Sequence, residues 1–325
     1  MTAKRVGIVG FGVWPRQAYL PILREMSDVD VVAVAARSAA TRDFARQTLG
    51  ASVTLHEDYR KLLADDGVDA VMLALPNALH LDALEAAANS GKHIFLEPPV
   101  GLNADDVGQA IGVLDRCTQI VQADLELRYL PIIDAVRGLL DEGVLGELLT
   151  AKIRLRCDWG QGGAARKPDI ERQGFFFWLG CWYLDVLDVV FGAAPMDAAV
   201  SGGRAMNGRL MDHGWATMRY PADRLGQFEF SLVAVDDAAV TLEVAGTKGE
   251  MEADLLAGTC RWTQQGGSWQ QSVAPCSEPV CGFAGMRECI AAFFKSINEG
   301  TPSRAGADVC RRVHHAALLC TEADR

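Results

Sequence analysis

The sequence predicts an α/β protein of two domains, in which a doubly wound parallel sheet precedes an α+β domain built on a mostly antiparallel open sheet. Three observations lead to this fold class. The first 120 residues alternate short apolar runs with helical stretches, and after about residue 146 strands follow one another with few helices between them. The chain of 325 residues is also about twice as long as a typical domain. We expect the first domain to cover residues 1–122 and the second 123–325.

Five apolar runs in the first domain are predicted to be parallel strands. Runs that are apolar at nearly every position, with helices between them, are typical of strands buried on both faces of a sheet. Right-handed connections between such strands give a doubly wound topology. The strands are expected at 6–9, 31–35, 70–74, 93–96 and 120–123, and the helices at 14–26, 40–49, 79–89 and after Asn103, which is expected to cap its helix.

The second domain has a different pattern. Residues 149–156 alternate as in a strand with one face in solvent, and several strands with glycine-containing turns are expected between about 198 and 271. A run of strands with few helices favours an antiparallel sheet. Helices are expected near 175–191, 283–298 and 307–321.

Composition excludes several classes of protein. Half of the residues are hydrophobic and 22% are charged, which is typical of a globular chain. The net charge of −11, without a basic cluster, argues against nucleic acid or an anionic membrane as the partner. No apolar run is long enough to span a bilayer. The nine cysteines form no CxxC pair, so we expect reduced thiols, no metal site and a cytoplasmic location.

A glycine-rich turn follows the first predicted strand. It consists of Gly10, Phe11, Gly12, Val13, Trp14 and Pro15. A dinucleotide needs one glycine for the tight turn and a second so that the backbone can approach the pyrophosphate, and Gly10 and Gly12 supply both. Pro15 stands where a third glycine is usual, and Trp14 adds bulk beside it. The turn indicates a Rossmann dinucleotide-binding domain, and a purely structural turn that no longer binds nucleotide remains the alternative.

The end of the second strand indicates which nucleotide is preferred. An acidic residue there would hold the ribose of NAD, but this chain has Arg37 and Ser38. A guanidinium and a hydroxyl suit a 2′-phosphate better than a bare 2′-hydroxyl. We therefore expect NADP(H) rather than NAD(H), if a dinucleotide binds at all. The alternative is that Arg37 is an ordinary solvated side chain.

With these features, the sequence resembles the Gfo/Idh/MocA family of oxidoreductases along nearly its whole length. The motifs that carry the resemblance are Val6 to Gly12, Leu20 to Leu23, Leu75-Pro76-Asn77-Ala78-Leu79-His80, Gly91 to Pro99, Gly180 to Asp185, and the turn at Gly246–Gly249. The resemblance implies NAD(P)-dependent hydride transfer on a small carbonyl or alcohol. It also implies cofactor contacts from Leu75, Pro76, Asn77, His80, Glu97 and Pro98.

The chain departs from the family at the positions expected to move protons. Where relatives carry Glu-Lys-Pro, this chain has Glu97-Pro98-Pro99, and proline has no ionisable group. Where relatives carry an aspartate and, four residues later, a histidine, this chain has Trp178 and Trp182; only Asp185 matches. These three positions fall on one helical face. The indoles either plug the pocket, form a platform for a flat ligand, or pack the domain core.

The proton donor remains open. Solvent is one source, and the further pocket candidates are Arg128, Lys167, Arg172 and Tyr183. Three functions follow: an NADP(H)-linked reductase with an aromatic-lined site, a non-catalytic scaffold, sensor or accessory protein, and a non-redox enzyme in the same cleft. The resemblance also implies a homodimer or homotetramer formed through the second sheet, with a small molecule as the ligand.

Overall fold

The computed structural model describes residues 3–159, 173–206, 210–235, 238–280 and 282–324. The chain divides into two compact units. The first combines Met1–Asp124 with Pro279–Cys310, and the second combines Leu125–Glu278 with Arg311–Arg325.

The first unit contains a six-stranded sheet in which all strand pairs are parallel. Its strands are β1 (Lys4–Val9), β2 (Val29–Ala35), β3 (Thr54–His56), β4 (Ala70–Leu73), β5 (His93–Leu96) and β6 (Val121–Ala123). Their order across the sheet is β3-β2-β1-β4-β5-β6. The order reverses direction between β1 and β4, which is the place where ligands bind in open α/β sheets. The predicted parallel sheet is confirmed.

The helices of the first unit follow its strands. They are α1 (Leu20–Glu25), α2 (Ala39–Leu49), α3 (Tyr59–Leu63), α4 (His80–Asn89) and α5 (Ala104–Arg116), with a π-helical turn at Pro15–Tyr19 and a 3-10 turn at Asn77–Leu79. Asn103 caps α5 as predicted, because its side-chain oxygen accepts a hydrogen bond of 2.9 Å from the Asp106 amide. The helix predicted at 14–26 is also present. It consists of the π-helical turn at Pro15–Tyr19 followed by α1.

After the second sheet, the chain returns to the first unit. The last two helices are α8 (Met286–Glu299) and α9 (Ala307–Ala323). In α8, Phe293 packs its ring 5.5 Å from that of Phe95 on β5. The N-terminal part of the first unit ends at Asp124. Residues 279–310 had been expected in the second domain, but they cluster with the first unit because apolar residues of α8 pack on its sheet.

The second unit contains an eight-stranded sheet. Its strands are β7 (Leu148–Arg156), β8 (Asp197–Gly203), β9 (His213–Tyr220), β10 (Arg224–Ser231), β11 (Ala239–Gly246), β12 (Gly249–Asp254), β13 (Thr259–Gln264) and β14 (Gln270–Val273). Their order is β14-β13-β12-β11-β7-β10-β9-β8, and every pair is antiparallel except β7 with β10. The predicted mostly antiparallel sheet is confirmed.

One face of this sheet is apolar and covered. Its helices are α6 (Pro131–Asp141) and α7 (Cys181–Phe191), and a π-helical turn at Phe176–Gly180 leads into α7. Phe175 stacks on Phe230 of β10 with ring centroids 3.8 Å apart, and Tyr183 stacks on Phe228. Burial of these rings explains the aromatic run at 175–177, since all three phenylalanines are at most 2% exposed. Among the described residues, no helix is both long and apolar enough to cross a membrane.

Candidate functional site

The glycine turn after β1 combines one sterically fixed glycine with one that borders open space. Gly10 has a φ of +87°, and a Cβ there would lie 2.4 Å from the Ala74 carbonyl oxygen, so only glycine fits. Gly12 is exposed, and a Cβ on it would meet no atom within 4 Å. The backbone at Gly12 therefore borders open space, and a phosphate group would have room to approach it closely. In contrast, the side chain of Phe11 is buried, so only its backbone faces the turn.

Residues after Gly12 hold the turn in place. Arg16 donates from Nε to the Gly12 carbonyl oxygen at 2.7 Å. Val13 is 59% exposed, whereas Pro15 is buried at the start of the π-helical turn. The proline ring thus packs into the interior. It occupies a position in a first helical turn where its missing N–H costs no hydrogen bond.

The end of β2 carries an exposed arginine and an exposed serine. Arg37 and Ser38 are both exposed, and no side-chain bond of either to another described residue is present. Ser38 is the N-cap residue of α2, yet its hydroxyl makes no capping hydrogen bond. The turn itself is held by Arg42, which donates to the carbonyl oxygens of Ala36 and Arg37 at 2.8 and 2.7 Å.

The turn between β4 and α4 is held by a buried histidine. His80 Nε2 lies 2.7 Å from the Leu75 carbonyl oxygen, and Nδ1 lies 2.9 Å from that of Pro99. Burial lowers the pKa of His80, while its two carbonyl partners act in the opposite direction. Both ring nitrogens are occupied, so His80 fixes the loops that follow β4 and β5. Near it, Pro76 is exposed, Leu75 and Asn77 are half-buried, and Pro98 is buried.

Glu97, directly after β5, collects hydrogen bonds from the first helical segment. Its Oε1 accepts a bond of 2.5 Å from the indole Nε1 of Trp14 and a second from the Tyr19 hydroxyl. The Trp14 ring also packs edge-on against Phe283, with centroids 4.9 Å apart. Trp14 therefore extends from the glycine turn toward the end of β5, where its N–H helps to hold the Glu97 carboxylate.

A second carboxyl beside Glu97 was missed by the sequence analysis. Asp124 follows β6, is 0% exposed, and hydrogen-bonds with the Glu97 side chain. Its Oδ1 accepts a bond of 3.4 Å from the Sγ of Cys289 on α8. Burial raises the pKa of Asp124 to about 7, although the Glu97 and Cys289 bonds act to lower it. The available signal was an acidic residue at the carboxyl end of an apolar run.

The two indoles of the second unit remain partly accessible. Trp178 lies in the π-helical turn and Trp182 in the first turn of α7, and both side chains are half-buried. The Trp182 Nε1 atom is buried and has no acceptor among the described residues.

Asp185 and Arg128 form a buried ion pair in the second unit. Arg128 Nη2 lies 2.5 Å from Asp185 Oδ1 and 2.7 Å from Asp188 Oδ2. On the other side of Asp188, Arg312 Nε lies 2.5 Å from Oδ1. Burial raises the pKa of Asp185 to about 6, against the lowering effect of Arg128. Asp185 is 0% exposed, so its carboxylate is held by Arg128 inside the unit and does not face solvent.

Of the other three predicted proton donors, only Tyr183 lies among the described residues. Tyr183 is buried, and burial raises its pKa well above the ordinary value, which disfavours proton exchange at neutral pH. Lys167 and Arg172 lie outside the described residues. No group of three or more histidine, cysteine, aspartate or glutamate side chains in the described ranges could hold a metal ion.

Relatives of known description match the chain along much of its length. An oxidoreductase subunit from Amycolatopsis mediterranei is 31% identical over 60% of this chain and 54% of its own length. The trans-1,2-dihydrobenzene-1,2-diol dehydrogenase of Bos taurus is 26% identical over 76% of this chain and 73% of its own length. The match thus spans between about half and three quarters of these two relatives.

Solved structures share the fold at low sequence identity. Levoglucosan dehydrogenase in complex with NADH and levoglucosan has a TM-score of 0.83 at 17% identity, covering 99% of this chain and 97% of that one. The apo scyllo-inositol dehydrogenase of Lactobacillus casei has a TM-score of 0.82 at 21% identity, with the same coverage.

Two family descriptions match consecutive parts of the chain. Residues 4–124 match the oxidoreductase family with an NAD-binding Rossmann fold, and residues 133–252 match the GFO/IDH/MocA C-terminal domain. One match lies in each unit, and together they agree with the glycine turn and the two sheets described above. The chain belongs to the Gfo/Idh/MocA family of NAD(P)-binding oxidoreductases.

Proposed function

We propose that this protein is an NADP(H)-dependent oxidoreductase that interconverts a flat ring alcohol and its ketone. The observation that carries the proposal is the glycine turn, in which Gly10 is sterically fixed and Gly12 borders open space. A turn with only a structural role would not need that opening. When bound, the nicotinamide would accept or donate the hydride.

The choice of NADP(H) rests on the end of β2. Arg37 and Ser38 are exposed there, and neither side chain is bonded to another described residue. The position holds the adenosine ribose in Rossmann domains, and a cation with a hydroxyl is suited to a 2′-phosphate. No carboxylate at 37 or 38 is present to accept a bond from the free 2′-hydroxyl of NAD.

The substrate class is supported by the indoles and by the relatives. Trp178 and Trp182 provide half-buried aromatic surface, and Trp182 adds an N–H without an acceptor among the described residues. Aromatic surface with one polar group suits a flat ring that carries an oxygen. The bovine relative is named for a cyclic diol of this shape. A trans-1,2-dihydrobenzene-1,2-diol is therefore our model substrate.

Cofactor binding tests the proposal first. We expect NADPH to bind with enhanced fluorescence and more tightly than NADH. Loss of Arg37 removes a charge-assisted bond, so Arg37→Ala should weaken NADPH binding about tenfold and leave NADH binding nearly unchanged. Arg116→Ala is the matched control, because Arg116 is an exposed arginine at the end of α5.

Turnover tests the substrate class. Reduction of NADP⁺ in the presence of the dihydrodiol should be visible as NADPH absorbance. If neither cofactor binds at millimolar concentration, the proposal is wrong and the non-catalytic alternative is favoured. If the cofactor binds but only unrelated alcohols are oxidised, the assignment of the ring substrate is wrong.

A further inference from the structure

Two carboxyl groups meet at the carboxyl edge of the first sheet. Leu96 of β5 and Ala123 of β6 are partners in the parallel register, so the residues that follow them, Glu97 and Asp124, leave the sheet side by side. The Asp124 amide donates to the Leu96 carbonyl oxygen at 2.9 Å, which fixes the two strand ends together. Their side chains are hydrogen-bonded to each other.

The environments of the two carboxyls differ. Glu97 is half-buried, and its Oε1 accepts bonds from Trp14 and Tyr19. Asp124 is completely buried, and the only described N–H, O–H or S–H that it accepts is the Cys289 thiol, on Oδ1. Its Oδ2 is buried and receives no donor from the described part of the chain. No described lysine or arginine forms an ion pair with Asp124.

Such a pair requires a proton. Two ionised carboxylates are both hydrogen-bond acceptors, so a bond between them exists only when one of them is protonated. Like charges in a buried site also resist joint ionisation. Trp14 and Tyr19 donate to Glu97, while burial raises the pKa of Asp124 and its bond with Glu97 acts to lower it. One proton is therefore shared between the two carboxyls, and its titration belongs to the pair.

The pair lies on the side of the sheet that a nicotinamide would occupy. In a Rossmann domain the adenosine binds near the end of β2, and the pyrophosphate crosses the glycine turn after β1. The other half of the dinucleotide then extends over the ends of β4 and β5. Glu97 ends β5 and immediately precedes Pro98, which stands where relatives carry lysine.

We propose that Glu97 and Asp124 share one proton and together form the proton acceptor and donor of the reaction, in place of the absent lysine. This inference rests on the proposed oxidoreductase function. In the oxidation, the C–H bond of the alcohol would break with its electron pair, and a nicotinamide, when bound, would supply the hydride acceptor. The O–H proton moves to Glu97 and is then shared with Asp124, so that the products are the ketone, NADPH and the protonated pair. Reduction returns the same proton.

The pair has a clear pH signature. The pKa of Asp124, raised by burial to about 7, is close to the working pH, as efficient proton transfer requires. Oxidation needs the pair without its proton, so kcat/KM for the dihydrodiol should rise as the pH rises through the pKa. Folding stability should change in the opposite sense: the native state binds a proton that the unfolded chain has already lost, so stability falls as the pH rises through about 7.

The side chains named above as donors to the pair come from two elements. Trp14 and Tyr19 belong to the first helical segment, and Cys289 belongs to α8. The thiol itself accepts a bond of 3.3 Å from the amide of Gln122 on β6. Because the Tyr19 hydroxyl donates to Glu97, Tyr19→Phe is a necessary variant: it should remove one donor from Glu97 and leave the titration of Asp124 in place.

The decisive variant is Asp124→Asn. Its amide can donate to Glu97 as the protonated acid does, but it cannot titrate. The exposed Asp105 on α5 supplies the control variant Asp105→Asn. Because Asp185 is also buried and its pKa is raised to about 6, the band of the pair is read as the infrared difference between the wild type and Asp124→Asn without cofactor. This difference should show a protonated carboxyl at pH 6 that disappears around pH 7, and Asp105→Asn should keep the wild-type band. The pH dependence of unfolding near pH 7 should disappear in Asp124→Asn.

Activity supplies the second measurement. With the dihydrodiol and NADP⁺, Asp124→Asn should lower kcat about tenfold to a hundredfold and shift the pH profile to lower pH, and Glu97→Gln should lower kcat by about 10²–10⁴. NADPH affinity should stay within about threefold of the wild type in Asp124→Asn.

The outcomes separate this inference from the proposed function. If the wild-type protein lacks the infrared band, the shared proton does not exist, whatever the protein catalyses. If Asp124→Asn keeps the wild-type pH profile, the pair does not handle the reaction's proton. If the band is present but NADPH does not bind to the wild type, the proposed function is wrong, and the catalytic role of the pair is excluded with it.

Discussion

At the scale of single residues, two glycines of one turn have different requirements. A side chain at Gly10 would collide with the Ala74 backbone, and the residue also has a positive φ. A side chain at Gly12 would extend into open space. Gly10 is therefore required by the fold, whereas Gly12 is required only if something approaches it.

This difference gives a prediction. Gly10→Ala should destabilise the protein by about 1–3 kcal/mol or more, because the new Cβ has both a strained φ and a clash. Gly12→Ala should leave the melting temperature almost unchanged and weaken NADPH binding at least tenfold, because its methyl group occupies the path of the pyrophosphate. Thermal unfolding and fluorescence titration measure the two effects. Unchanged NADPH affinity in Gly12→Ala would mean that the cofactor does not cross this turn.

At the scale of elements, the start of α7 depends on a buried charge. Arg128 lies in a 3-10 turn at Glu126–Tyr129, and its guanidinium joins that turn to Asp185 and Asp188 of α7. Burial alone would lower the pKa of Arg128, but the two aspartates more than offset this effect and raise it. The ion pair is intact only if both partners are present, since each is buried.

We therefore predict that Arg128→Met lowers the free energy of unfolding by about 3–5 kcal/mol, because it leaves the buried Asp185 without its ion-pair partner. The matched control is Arg261→Met on β13. Arg261 pairs with Glu252 at 2.8 Å, but its side chain is 56% exposed, so the loss should be about 1 kcal/mol or less. Denaturant unfolding followed by tryptophan fluorescence compares them. Equal losses would show that the buried pair adds no more than a surface pair.

Local sequence patterns predicted most elements but not all. Apolar runs predicted five strands in the first domain, and all five are present as β1, β2, β4, β5 and β6. Strand β3 was missed because Thr54, Leu55 and His56 form no apolar run. The two π-helical turns in the described residues were also not predicted. A π-helical turn contains one more residue than an α-helical turn, and this changes the hydrophobic periodicity of the sequence very little.

Contacts between distant segments were not accessible from local patterns. The packing of α8 on the first sheet joins residues almost 200 positions apart, Phe95 and Phe293. The carboxyl pair is a similar case: Glu97 was identified from a motif, but its partner Asp124 was not, because their proximity follows from the register of β5 with β6. The protonation of the pair depends on how deeply the two carboxyls are buried, and the spacing of residues in the sequence does not predict that burial.

At the scale of the whole molecule, the uncovered face of the second sheet is the expected subunit interface. Strand β9 alternates strictly between buried and exposed residues, and Trp215 and Leu225 remain 50% and 44% exposed. The same face has a cavity of about 380 Å³ that Leu225, Lys152 and Glu243 help to line. Lys152 lies between Glu229 and Glu243, at 3.7 and 3.4 Å. A face that combines large apolar side chains with paired charges is suited to contact a second copy.

We expect the wild-type protein to sediment as a dimer or tetramer, and Trp215→Glu to sediment as a monomer. A carboxylate at this position would be buried in the interface beside Glu229, its partner across the β9–β10 register, and like charges there oppose association. Leu79→Glu places the same charge on a 38% exposed leucine of the first unit and should keep the assembly. Sedimentation velocity measures both. Dissociation by Leu79→Glu and not by Trp215→Glu would place the interface on the first unit, because only contact surfaces are sensitive to an added charge of this kind.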